Sequence, residues 1–178
     1  MKILFDKETE GCVQDLVQVI SWELLGGDIQ LELPQGFQEM TPERRSEFYP
    51  YENRPEIILE DMESEVQITL QFLDKVMQEK ETRTALGMVH ELMEDAFSKY
   101  EITPAYLFED GHLPIGWLLI KMKDRRVEHV KAIFCCKGKM TLLTVTYSMD
   151  EYIKWRALVK CIFKSITIQE GNRSSEKS

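Results

Sequence analysis

Basic residues are in short supply: 22 Lys and Arg stand against 31 Asp and Glu, for a formal net charge of −9 and a pI of about 5.0. That deficit argues against a general affinity for nucleic-acid backbones or anionic lipid. Long apolar runs are missing too. Nothing approaches the ~18 uncharged apolar residues of a membrane span, and Met1 to Phe5 meets Asp6 and Lys7 too soon for a secretory core. Cysteine is sparse, and Cys12, Cys135, Cys136 and Cys161 lack C-x-x-C spacing. On a strand, adjacent Cys135 and Cys136 face opposite ways and cannot easily join one metal. They read as small reduced side chains, which places the protein in the cytoplasm. No glycine-rich phosphate loop exists, since Gly26-Gly27 lacks the rest of any such motif. The three histidines, His90, His112 and His129, fall in different predicted elements without ligand spacing. No catalytic set, metal site or cofactor is therefore expected.

What is present is an ordinary globular composition of 178 residues, 43% hydrophobic and 30% charged. This suits one domain over residues 1–168 with a polar tail at 169–178. Val13, Leu16, Val17, Ile20 and Leu24 predict a helix over 8–25, although the β-branched residues would also suit a strand. Ile29, Leu31 and Leu33 alternate as a strand that Pro34 closes, and Thr41-Pro42-Glu43 opens a short helix to about Phe48. After a Pro-bounded loop and a short strand at 57–59, Val66, Ile68, Leu70 and Phe72 mark a one-sided strand. Leu86, Val89, Met93, Phe97 and Tyr100 predict an amphipathic helix over 84–100. Apolar runs at 103–108, 113–122, 127–136 and 140–147, joined by short polar turns, predict an antiparallel meander with both faces covered. Ser148 to Glu151 has the spacing of a capping box, and the helix after it stripes Tyr152, Trp155, Val159, Ile162 and Ile166.

This order of elements resembles the PsbP-like superfamily, in its bacterial branch, over residues 28–168. Two segments carry the likeness: Leu33-Pro34-Gln35-Gly36-Phe37, similar to that family's opening strand and Pro-x-x-Phe turn, and Trp155 to Ile166, similar to its last helix and the Ser-Ile that follows. The resemblance implies an α+β fold in which an antiparallel sheet of about six or seven strands is flanked by helices in an α/β/α sandwich. It also tilts function toward binding or assembly rather than catalysis.

The candidate binding site is the loop from Phe48 to Pro55. Tyr49 and Tyr51 supply amphipathic rings and Arg54, with Arg44 and Arg45 upstream, supplies planar donors, the residue types that anchor protein interfaces. The plainer reading has the rings covering an open edge of the core while the arginines answer nearby acids. The expected function is a non-catalytic, cytoplasmic module for a protein partner, with neither nucleic acid nor membrane bound. One alternative is a metal-dependent hydrolase using His90 and Glu94, which share a helix face but lack the second His of a zinc-protease helix. Another is a small-ligand carrier with its pocket between helix 84–100 and the sheet. Charge is also unevenly distributed: residues 1–120 carry 25 acids and 9 bases, whereas residues 121–165 carry 4 acids and 11 bases. Lys121, Lys123, Arg125 and Arg126 on one turn, and Arg156, Lys160 and Lys164 on the last helix, are expected to be spread over separate surfaces.

Overall fold

In the computed structural model, which describes residues 17–170, the chain opens with a hairpin. Strand β1 (Val19–Leu24) runs antiparallel to β2 (Ile29–Pro34), with Ile20 opposite Leu33. Leu25, Gly26 and Gly27 turn the chain at positive φ, a region that glycine enters without a Cβ clash. The helix expected over 8–25 is thus corrected where it can be seen: 19–24 is a strand, and residues 1–16 lie outside the described part. Pairing with β2 satisfies the β1 backbone, and Val19 and Ile20 remain largely exposed.

Two-residue β3 (Gln38–Glu39) leads to helix α1 (Pro42–Phe48). Thr41 Oγ1 accepts from the Arg44 amide at 3.4 Å, and Pro42 fills the first helical position, as the sequence predicts. Strands β4 (Ile57–Asp61) and β5 (Val66–Val76) follow, then helix α2 (Thr82–Ala96). Helix α2 stops short of the predicted Tyr100. Phe97 and Tyr100 leave the helix yet still pack against buried Leu118, Ile120 and Met122. Next come β6 (Glu101–Ile102), β7 (Tyr106–Phe108), β8 (Ile115–Met122), β9 (Val127–Cys136) and β10 (Lys139–Ser148). Ser148 Oγ accepts from the Asp150 amide at 3.2 Å and caps a single tight turn before helix α3 (Tyr152–Ser165) begins. Strand β11 (Thr167–Ile168) then returns to pair with β2.

The meander is as expected, and pairing extends it to eight antiparallel strands in the order β3-β4-β5-β10-β9-β8-β6, with β7 also on β8. A second sheet, β1-β2-β11, was not foreseen. It needs long-range pairing that local periodicity does not encode.

Alternation divides the large sheet into two faces of unlike character. One face carries Ile68, Leu119, Val130, Phe134, Val145 and Tyr147 against α3 and the small sheet, forming the main core. There Trp155 lies parallel to Tyr147 and edge-on to Phe37. The buried Glu128 carboxylate enters this face, receiving the Tyr147 hydroxyl at 2.8 Å and Arg156 Nε and Nη2 at 3.0 and 2.5 Å. The other face meets α2 through Met77, Ala85, Leu86, Val89, Ile133 and Met140. Gly116 permits the approach of that helix, since a Cβ there would lie 2.9 Å from Leu86 Cδ1. Helix α2 covers only part of this face; farther across, over β5, β10 and β9, the cover is the loop after α1.

Candidate functional site

Helix α1 ends at Phe48 before Pro50, and the chain bends at residues 51–53 before reaching Pro55. The loop lies back over the sheet because Tyr49 reaches β5: its hydroxyl donates to Gln67 Oε1 at 2.9 Å. Burial pushes the Tyr49 phenol up to about 12, helped by Tyr51 and Glu60 nearby, so it remains a donor across the physiological range. Tyr51 stands edge-on to Tyr49, 6.2 Å between ring centroids, and is 56% exposed. Arg54 turns inward on the loop, with Nε donating to the Tyr51 carbonyl at 3.1 Å. The structure therefore brings Tyr49 and Tyr51 together and gives Arg54 a bracing role beside them.

The upstream arginines serve the scaffold. Arg44 grips buried Glu60 through Nε and Nη2, both at 2.8 Å, and lies over the Phe48 ring, while Arg45 Nε donates to the Met40 carbonyl at 3.0 Å. Arg44 answers a nearby acid, as the plainer reading expects, whereas Arg45 and Arg54 are held by backbone carbonyls.

Beneath the two tyrosines is a cleft of about 350 Å³ whose floor is the polar part of the sheet face. Gln67, Thr69 and Gln71 of β5, Thr144 and Thr146 of β10, and His129 and Lys131 of β9 line it. His129 Nδ1 lies 2.7 Å from Thr146 Oγ1, and Lys131 Nζ donates to Thr144 Oγ1 at 3.1 Å. The Phe97 ring, 5.8 Å from the ammonium, closes the side toward α2. Burial drives His129 down to about 4, reinforced by the positive charges of Lys131 and Arg125, so its ring is neutral at pH 7. Burial also lowers Lys131, to about 8. Sequence reasoning missed both residues by treating 127–136 as an apolar run. Their i, i+2 spacing was the available signal, since it puts both on one face of a strand.

Other sequence candidates are placed elsewhere. On α2, His90 Nε2 donates to the Thr103 carbonyl at 3.0 Å and ties the helix to the next segment, while Nδ1 lies 3.7 Å from Glu94 one turn along the same helix. Among the described residues no group of three His, Cys, Asp or Glu side chains could hold a metal ion. The contact between α2 and the sheet is filled by the side chains named above. A cleft of about 460 Å³ lies on the opposite face, between β7, β8 and α3, walled by Tyr106, Trp117 and Phe163. Cys136 is buried in the main core, whereas Cys135 faces the α2 side and donates to the Met77 carbonyl, so the adjacent thiols do point apart. No helix among the described residues is long and apolar enough to cross a membrane.

The bases of residues 121–165 are divided as expected. Lys121 and Lys123 pair with Glu101, Arg126 with Asp150, Arg156 with Glu128, and Lys137 with Asp28. The turn after β8 and the turn before β10 lie at opposite ends of β9.

No known family profile matches the sequence, and no curated protein sequence matches it either. Solved structures do. The solution structure of cyanobacterial PsbP (CyanoP) from Synechocystis sp. PCC 6803 superposes with a TM-score of 0.59 at 8% identity, covering 86% of this chain and 94% of that one. The crystal structure of the Ran-binding protein Mog1p of Saccharomyces cerevisiae gives 0.50 at 11% identity, covering 85% and 96%. At such identities the likeness establishes the architecture: this is the PsbP- and Mog1-like α+β fold that the two sequence segments pointed to.

Proposed function

We propose that this chain is a non-catalytic interaction module that docks a protein partner on the loop 48–55 and the sheet face beneath it. The observation that carries this reading is the preordered Tyr51, an exposed amphipathic ring held by Tyr49, which is itself anchored to Gln67, at the lip of a polar cleft. Tyrosine loses little conformational entropy when it anchors an interface, and a ring already fixed loses less. Arg54, bonded to the Tyr51 carbonyl, keeps the loop in that shape. Similarity of fold to a Ran-binding protein supports the class of function, because that protein uses the same architecture to bind another protein.

A reducing, cytoplasmic setting suits the module, whose adjacent Cys135 and Cys136 are free thiols. Nucleic acid and membrane suit it poorly, since the net charge is −9 and Lys121, Arg126 and Arg156 are each paired with an acid. The test uses the intact chain as bait in lysate with quantitative mass spectrometry. Tyr51→Ala combined with Arg54→Ala should lose a defined partner while the melting temperature is unchanged. Equal recovery by the double variant removes this surface from consideration.

A further inference from the structure

We propose that Lys131 is the anion-recognising residue of the cleft and that the group it takes is a carboxylate, carried by an Asp or Glu side chain of the docked partner. The inference rests on the reading of the loop and cleft as a docking surface and names the chemistry of what enters.

Lys131 carries a charge with no counter-charge among the described residues. Among the described residues no acid lines this cleft, and Lys131 is its one formally charged lining residue, since His129 is neutral. The ammonium has a neutral hydroxyl, Thr144, and the Phe97 ring as its contacts. Of the sheet's other lysines, Lys121 of β8 is closed by Glu101, whereas Lys75 and Lys139 stand exposed to solvent at strand ends; on α3, Arg156 is closed by Glu128. Glu60, the acid on this side of the sheet opposite Gln67, is already taken by Arg44. Burial of a cation without an acid is unfavourable, and its depressed proton affinity reflects that. An incoming carboxylate would supply the missing charge, and one lysine donor is already committed to Thr144, leaving two for the ligand.

The donor set favours a carboxylate over a phosphate. Phosphate dianions call for several cations, a guanidinium fork or a row of backbone amides at a glycine loop or helix start. This cleft offers a single ammonium, neutral amides and hydroxyls, and no arginine. At about 350 Å³ it has room for a side chain, and Tyr51 at the lip can cover the neighbouring backbone of the chain that carries it.

The test is an amide NMR titration of the intact chain with sodium acetate, N-acetyl-aspartate amide, sodium phosphate and, as a salt control, sodium chloride. Both carboxylates should give saturable shifts at Lys131, Thr144 and Gln67 that chloride does not, and Lys131→Met should weaken them about tenfold or more. Lys131→Met removes an unpaired charge and should melt no lower than the parent. Should it fail to fold, Thr144→Val, which frees the ammonium from its anchor, should weaken the same shifts. Phosphate binding more tightly than either carboxylate overturns the proposal, as do shifts reproduced by chloride or unchanged in the variants. Shifts with acetate and none with blocked aspartate overturn it in favour of a free small acid. A captured partner lost on Tyr51→Ala and Arg54→Ala but retained by Lys131→Met sinks this inference alone. Retention by the loop variant sinks the docking reading, whatever acetate does.

Discussion

Phe37 meets Trp155 edge-on, 6.1 Å between ring centroids, so the turn after β2 and the first turns of α3 are joined at the centre of the main core. These are the two segments whose residues resembled the PsbP-like superfamily. Their contact gives that likeness a physical basis, a shared aromatic joint between the chain's opening and its close. Phe37 is only 9% exposed, and truncation would leave a void beside an indole that also stacks on Tyr147. Phe37→Ala should cost about 3–5 kcal/mol in urea unfolding, and Phe37→Leu distinctly less.

Much of this architecture was legible because each element obeys its own local rule. Alternation at Val66 to Phe72 fixed β5, Thr41-Pro42 fixed α1, and the polar turns at Asp124-Arg125 and Lys137 to Lys139 fixed the meander. What escaped depended on distant pairing. Ile20 and Leu24 satisfy a helical period as well as a strand, and only β2 decides between them. Tyr49 and Tyr51 could be picked out as types in a Pro-bounded loop. His129 and Lys131 could not be joined to that loop from sequence, since a chain crossing of the sheet brings them under it.

Arg156 leaves Glu128 without a cation when truncated. The carboxylate is 2% exposed and receives two of its three hydrogen bonds from that guanidinium. Arg156→Ala should therefore destabilise by about 3–5 kcal/mol, whereas Glu128→Leu combined with Arg156→Met, which removes both charges, should lose far less. A double-mutant cycle by chemical denaturation would measure the difference.

Thr141 offers the opposite sign. Its hydroxyl is wholly buried with no hydrogen-bond partner, next to strands that supply only apolar neighbours on that side. Thr141→Val keeps the shape and removes the unpaired group, so a gain of about 1 kcal/mol is expected, read as a raised melting temperature.

The cleft should show itself in the pH dependence of stability. His129 falls from an ordinary 6.5 to about 4 on folding, so between those values the unfolded chain takes up a proton that the folded one refuses, and stability drops as pH falls through this window. Lys131 falls from 10.5 to about 8, so its contribution is a rise in stability as pH climbs from 8 toward 10.5, where the unfolded chain holds the extra proton. Urea midpoints across this range should lose the first slope in His129→Gln and the second in Lys131→Met. Parallel curves for parent and variants would show that neither group is desolvated.

Because the large sheet places its heaviest apolar load on the α3 side and a thin cover over polar side chains on the loop side, the two surfaces differ in how much a substitution disturbs packing. Substitutions at Gln67, Gln71 or Thr146 alter the lining of the cleft without touching Trp155, Phe37 or Tyr147. A lineage built on this frame can change the chemistry of that face at a few half-buried positions while its core stays in register. Such uncoupling allows one architecture to persist where almost no sequence does.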